Sequence, residues 1–316
     1  MKNPISIIQD RWEEREEDRM DLMMRSIKAF RSVTSPEDHL DPEKLAHHRA
    51  EQEIFSKLVT PGLNTDETFF SVGDISCEWV KPQFAHRTDR VILYCHGGGY
   101  TCGGLGYAGI LAGKMAQHTG LEVISFAYRL APEHPYPAAL EDAIRVWDYL
   151  MHLGYGAGNV ILAGDSAGGN LALELCLELK KTKRFLPAGM ILYSPWTDMR
   201  ACSSSYKTYK DKDPLLTYDY VCMVRSAYAG PDADYGAPEF SPLLADLKGM
   251  PPALIQVGSN EILRRDSEKL AKNLMEQGCR AVLEVYKGGW HVFQQMPTPK
   301  SAHAMEQVRL FLEGIQ

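Results

Sequence analysis

Apolar residues fall along this chain in two rhythms. Short runs at 68–72, 77–80, 90–95, 122–127, 159–163, 190–194, 253–257 and 281–286 read as strands. The first two alternate apolar with polar positions, as the strands of a half-exposed hairpin do. The middle runs are continuously apolar, as parallel strands covered on both faces are. From the third strand onward, helical patterns at about 107–119, 138–152, 167–181, 266–277 and 301–314 alternate with them. This order predicts an α/β fold with a mostly parallel eight-stranded sheet flanked by helices. No internal repeat or low-complexity linker interrupts it.

Two segments stand outside that alternation. Residues 1–60 mix Ile8, Trp12, Met20, Met23, Met24, Ile27 and Phe30 with dense charge, and Leu45, Ile54, Phe55 and Leu58 form a second, weak helical stripe. The other segment, about 199–240, lies between the sixth and seventh strands. It holds a Ser203-Ser204-Ser205-Tyr206 run, a loop at 211–214 and a helix near 218–228. Methionines in such places either pack helix against core or line an adaptable apolar surface.

Between the fifth strand and its helix stands GDSAGG at 164–169. A Gly-x-Ser-x-Gly turn in this context is a nucleophile elbow, with Ser166 at the apex of a strained turn. Side chains at Gly164 and Gly168 would collide with such a turn. The following helix aims its N-terminal N–H groups at the place where negative charge develops during attack. The third strand runs into HGGG at 96–99. Alone, three glycines make a hinge. With an elbow downstream they make a ligand-facing backbone. In α/β-hydrolases such a loop is one part of an oxyanion hole, and the residue after the nucleophile is the other. The expected donors are therefore the N–H groups of Gly97, Gly98 and Ala167. Only His291 and His303 follow Ser166 as candidate bases. His303 sits in a polar helix pattern. His291 follows a strand and is flanked by Gly288, Gly289 and apolar residues, which suits a general base.

With HGGG at 96–99, YRLAPEHPYP at 128–137, GDSAGG at 164–169, SPWTD at 194–198 and WHVF at 290–293, the chain resembles the hormone-sensitive-lipase-like esterases of the α/β-hydrolase superfamily. The resemblance covers most of the chain beyond residue 70. It implies an α/β-hydrolase core over 61–316 and a helical cap built from residues 1–60 and the 199–240 insertion. It also implies a homodimer paired through the edge strand at 281–286. The triad acid is expected within 258–266, where Asn260, Glu261 and Asp266 compete. Asn260 carries no charge to stabilise an imidazolium, and Asp266 suits a helix N-cap. Glu261-Ile262-Leu263 matches the family's acid pattern, so Glu261 is the expected acid, although Arg265 stands where the family often has an acidic residue. Asp165 and Asp198 read as structural.

The remaining composition narrows the class. A net charge of −7 and the absence of a basic aromatic patch argue against nucleic acid as partner. No run of 18 apolar residues predicts a membrane span, and the N terminus turns acidic too soon for a signal peptide. Seven scattered cysteines without Cys-x-x-Cys spacing suit reduced thiols in a cytoplasm; Cys95 and Cys102 read as packing residues. His47 and His48 lack a metal-site context, so neither metal nor organic cofactor is expected. The expected activity is that of a serine carboxylesterase on short-chain or small acyl esters. Deacetylation of sugars or small natural products, and lactone hydrolysis, are the alternatives. The intact Ser166 and His291 argue against a non-catalytic ligand receptor.

Overall fold

The computed structural model describes residue 25, residues 41–59 and residues 62–315 of the 316-residue chain. The eight expected strands form one sheet: β1 Thr65–Val72, β2 Ile75–Pro82, β3 Arg87–Cys95, β4 Leu121–Phe126, β5 Val160–Asp165, β6 Gly189–Tyr193, β7 Ala253–Gly258 and β8 Ala281–Tyr286. Their spatial order is β1-β2-β4-β3-β5-β6-β7-β8, and β2 alone runs against the others. The opening hairpin is longer than its apolar pattern, since Thr65 pairs with Pro82 and Asp66 with Lys81. Backbone pairing in an exposed hairpin continues through polar positions.

The described helices are α1 Pro42–Val59, α2 Leu105–Thr119, α3 Ala138–His152, α4 Ala167–Lys181, α5 Ser205–Thr208, α6 Tyr218–Ala229, α7 Arg264–Glu276 and α8 Pro299–Glu313. Alternate strand residues divide the core in two. Leu93, Leu162 and Ile255 pack with Trp147 of α3, Leu171 of α4 and Leu270 of α7. Ile92, Ile161 and Leu254 pack on the other face with Leu111 of α2 and Phe311 of α8. Burial on both faces is why residues 91–95, 160–163 and 190–193 are unbroken apolar runs.

The topology places the site. From β3 the chain crosses to β4 on one side and returns to β5 on the other, so β3 and β5 are neighbours whose outgoing loops face each other. A crevice at the carboxyl ends of the strands forms where the strand order reverses. The loops after β3, β5, β7 and β8 carry His96, Ser166, Glu261 and His291 respectively.

Helix α1 meets the loop after β3 through polar groups. Leu45 is buried but Ile54 is 62% exposed; nine residues apart, they lie on opposite helix faces at 100° per residue. Arg49 donates from Nε to the Thr101 carbonyl at 2.8 Å and from Nη2 to the Ala131 carbonyl at 3.0 Å, and it forks onto Glu133. Gln52 Oε1 accepts from Gly103 N–H at 3.0 Å, and Glu53 Oε2 accepts from Gly106 N–H at 3.0 Å. The Glu53 carboxylate thus sits at the N-terminus of α2, where it is electrostatically favoured. Ile8, Trp12, Met20, Met23, Met24, Ile27 and Phe30, and the side chains of Phe55 and Leu58, lie outside the described residues.

Candidate active site

Ser166 sits at φ 52°, ψ −119°, between β5 and α4. This conformation is rare for an L-residue and is stabilised only by its surroundings. Ser166 N–H donates to the Tyr193 carbonyl at 3.0 Å, and its own carbonyl accepts from Trp196 N–H at 2.9 Å. A Cβ at Gly164 would run into the Gly168 carbonyl, and one at Gly168 would run into the carbonyls of Cys95 and His96. Both glycines are therefore sterically required, which lets the elbow press against the loop after β3.

That loop corrects one expectation. The N–H of Gly97 donates to Oδ1 of Asp165 at 2.7 Å and is committed there. The same carboxylate accepts from Tyr94 Oη at 2.6 Å and from Tyr107 Oη at 2.8 Å. Burial raises the Asp165 pKa, and these donors oppose the rise. Gly98 and Gly99 take φ 116° and 62°, which turn the next two N–H groups elsewhere. Among the described residues none accepts from the N–H of Gly98, Gly99 or Ala167. His96 is wholly buried, its pKa pushed down to about 4 by burial, so its ring is neutral. Its Nδ1 lies 2.7 Å from the Gly97 carbonyl and must be the donor. Tyr128 stacks on the ring at 4.2 Å and donates from Oη to the His96 carbonyl at 2.7 Å. The glycine loop is thus held on three sides by side chains.

His291 Nε2 lies 2.9 Å from Ser166 Oγ. On its far side Nδ1 is 3.9 Å from Glu261 Oε2, longer than a hydrogen bond. Among the described residues, His291 Nδ1 and Glu261 Oε1 have no hydrogen-bond partner. Closing the gap needs a shift of roughly 1 Å, and apo sites commonly tighten on binding substrate. Burial opposes the charged imidazole, but Glu261, Asp213 and Asp165 together raise the His291 pKa above its ordinary value. Glu261 Oε2 accepts from Ser194 Oγ at 2.8 Å and from Gly258 N–H at 3.3 Å. Asn260 N–H donates to the Gly289 carbonyl at 2.9 Å, stitching the acid loop to the histidine loop. A Cβ at Gly258 would strike Gly289 and Trp290, so glycine permits that approach.

The structure brings Ser166, His291 and Glu261 together and leaves the rival acids aside. Asp266 lies inside the first turn of α7, whose N-cap is Leu263, so it is no cap. It accepts a hydrogen bond from Ser203 Oγ, which in turn accepts from Lys269 Nζ at 2.8 Å. The Asn260 side chain meets Ser259 at 3.3 Å. Asp198 is fully buried and forked by Arg200. His47 pairs with Glu51 at 3.1 Å on the exposed side of α1. Among the described residues no three His, Cys, Asp or Glu side chains converge on a metal-sized site. Sequence reading passed over Ser194, which has φ 45° and whose hydroxyl also accepts from Val292 N–H at 3.2 Å. Its place at the end of β6, opening the SPWTD motif, was the available signal.

Residues 92–295 match the family described as the alpha/beta hydrolase fold. The chain is 36% identical over 277 residues to an acetyl-hydrolase of Streptomyces hygroscopicus, covering 86% of this chain and 89% of that protein. It is 35% identical over 228 residues to an esterase of Acinetobacter venetianus, covering 72% and 75%. A crystal structure of an esterase from the bacterial hormone-sensitive lipase family superposes with a TM-score of 0.86 at 31% identity, over 95% of this chain and 98% of that one.

Proposed function

The chain belongs to the α/β-hydrolase family, as a carboxylic ester hydrolase of the hormone-sensitive-lipase-like group, and on that premise we propose that it cleaves short-chain or small acyl esters with a Ser166–His291–Glu261 triad. The observation that carries this reading is the 2.9 Å contact between His291 Nε2 and Ser166 Oγ, beside uncommitted backbone donors. His291 takes the hydroxyl proton as Ser166 attacks the ester carbonyl. The oxyanion is received by the N–H groups of Gly98 and Ala167, with that of Gly99 as a third donor in place of Gly97. Glu261 holds Nδ1–H and stabilises the imidazolium. His291 then protonates the leaving alcohol, and water repeats the sequence on the acyl-enzyme.

The short-acyl preference draws on the cap. We take residues 1–60 and the 199–240 segment as that cap over a core spanning 61–316. A Cβ at Gly99 would stand 3.1 Å from Tyr220 Oη and 3.2 Å from Val224 Cγ1, so α6 roofs the glycine loop and limits depth there. The relative that acts as an acetyl-hydrolase favours a second reading, removal of an acetyl group from a sugar or small natural product. The seven free thiols suit a cytoplasmic enzyme, and no described helix is long and apolar enough to cross a membrane. The edge strand β8, with Val285 40% exposed, suits pairing into a homodimer; the solution mass at micromolar concentration tests it.

The deciding experiment is a chain-length series from acetate to palmitate esters, run beside acetylated sugars and lactones, with fluorophosphonate labelling of Ser166. The highest kcat/KM is expected on acetate or butyrate esters. Equal or better rates on emulsified long-chain triglycerides would count against the short-acyl reading, and failure to label Ser166 would count against the nucleophile.

A further inference from the structure

The 199–240 segment does more than cover the crevice. At its loop 211–214, Asp213 is fully buried. Its Oδ1 accepts from the N–H groups of Leu215 and Leu216, both at 2.9 Å, a local turn of the kind aspartate favours. Its Oδ2 reaches across the fold to accept from Ile262 N–H at 2.9 Å. Ile262 directly follows Glu261. The other end of Ile262 is held from the same segment, where Ser205 Oγ donates to its carbonyl at 2.5 Å. One residue beyond the acid is therefore gripped at both N–H and C=O by side chains of the insertion.

A local turn does not need a carboxylate here, since a single oxygen serves both leucine N–H groups. The second oxygen serves the acid loop. The charged groups facing Asp213 include Glu261 and His291, and those facing His291 include Glu261, Asp213 and Asp165. Burial lifts the Asp213 carboxyl to about 6, which leaves it ionised at pH 8.

We propose that Asp213 is a positioning residue for the base: it fixes the turn that carries Glu261 and places a second buried negative charge within electrostatic reach of His291. This rests on the triad reading given above. Loss of that charge weakens the hold of His291 on its proton, so the acidic limb of activity moves to lower pH.

The test is Asp213→Asn, assayed for kcat, KM and the pH dependence of kcat/KM on a butyrate ester. An amide keeps the leucine contacts but turns a donor toward the Ile262 N–H. The expected result is a kcat about tenfold lower, KM within about twofold, and an acidic limb about half a unit lower. A limb that stays in place overturns the proposal, whatever happens to kcat. Should Asp213→Asn fail to fold, Asp213→Glu decides: charge is kept and fit is lost, so the limb should hold while kcat falls. Wild-type kcat in Asp213→Glu overturns the proposal. Glu261→Gln in the same assay separates the two readings. If it keeps wild-type turnover, the acid assignment has failed; if it collapses while the Asp213 variants behave as wild type, only the Asp213 inference has failed.

Discussion

The backbone N–H of Gly97 donates to Oδ1 of Asp165 across 2.7 Å, so the residue before the elbow serine holds the first glycine of the opposing loop. Elbow and glycine loop are thereby one unit. Asp165→Asn should keep most activity, because its carbonyl can serve Tyr94 and Gly97 while its amide donates to the Tyr107 hydroxyl. Asp165→Ala leaves three donors without an acceptor, those of Tyr94 and Gly97 buried and that of Tyr107 partly buried. We expect it to lose at least about 3 kcal/mol of stability, and turnover with it. Urea melts of the two variants check this; equal stability would show that the carboxylate does not hold the loop.

Ser166→Ala should lower turnover by a factor on the order of 10⁵ or more. The positive φ is as strained for alanine as for serine, so the melting temperature should move little. Residual activity at a tenth of wild type would place the chemistry on another residue.

Glu261→Gln should lower turnover by roughly 10³ to 10⁴, through loss of the charge that orients His291. Asp266→Asn should remain active, since Asp266 meets Ser203 rather than His291. Its stability should also change with pH. Burial raises the folded-state Asp266 carboxyl to about 7, against about 3.9 unfolded. Its contribution is therefore fully present below the unfolded value and lost as pH rises through the folded one. Asp266→Asn removes that loss, so it should melt above wild type at pH 8, with the gap narrowing toward pH 4. Thermal melts across that range check the sign. An inactive but folded Asp266→Asn beside an active Glu261→Gln would exchange the two roles.

Activity should appear as His291 gives up its proton. Burial alone would lower its pKa, but the contact with Glu261 and the charges of Glu261, Asp213 and Asp165 raise it. The acidic limb of kcat/KM should therefore centre above the ordinary histidine value of about 6.5. A rate flat from pH 5 to 8 in a chemistry-limited assay would contradict the role of His291 as base.

Arg49→Ala should lower kcat by about tenfold, because one guanidinium fixes both the Thr101 and the Ala131 carbonyls beside the glycine loop. Arg49→Lys should not restore it, since an ammonium cannot reproduce the fork onto Glu133. Steady-state kinetics on a small ester decide this; wild-type kcat in Arg49→Ala would leave α1 without influence on the loop.

The parts legible in sequence were those fixed by local rules. The two-faced burial of β3, β5 and β6 writes itself as the unbroken apolar runs 91–95, 160–163 and 190–193, and the elbow needs glycine on either side of Ser166. The order Ser166, Glu261, His291 could be read because each follows a strand. The fate of the Gly97 N–H could not, because it depends on a carboxylate 68 residues away. Asp213 was hidden for the same reason, and Ser194 was marked only by the motif it opens. Each is an ordinary turn residue until the fold sets it against the acid loop, and no periodicity marks a contact between segments so far apart.

The grip of Asp213 and Ser205 on Ile262 constrains how the 199–240 segment can be exchanged. Here side chains of the 199–240 segment bond the residue after Glu261 directly, so segment and acid loop are mechanically continuous. A chimera that imports a relative's 199–240 segment without residues 258–266 should therefore lose turnover. Transplanting both segments together is the exchange this architecture tolerates.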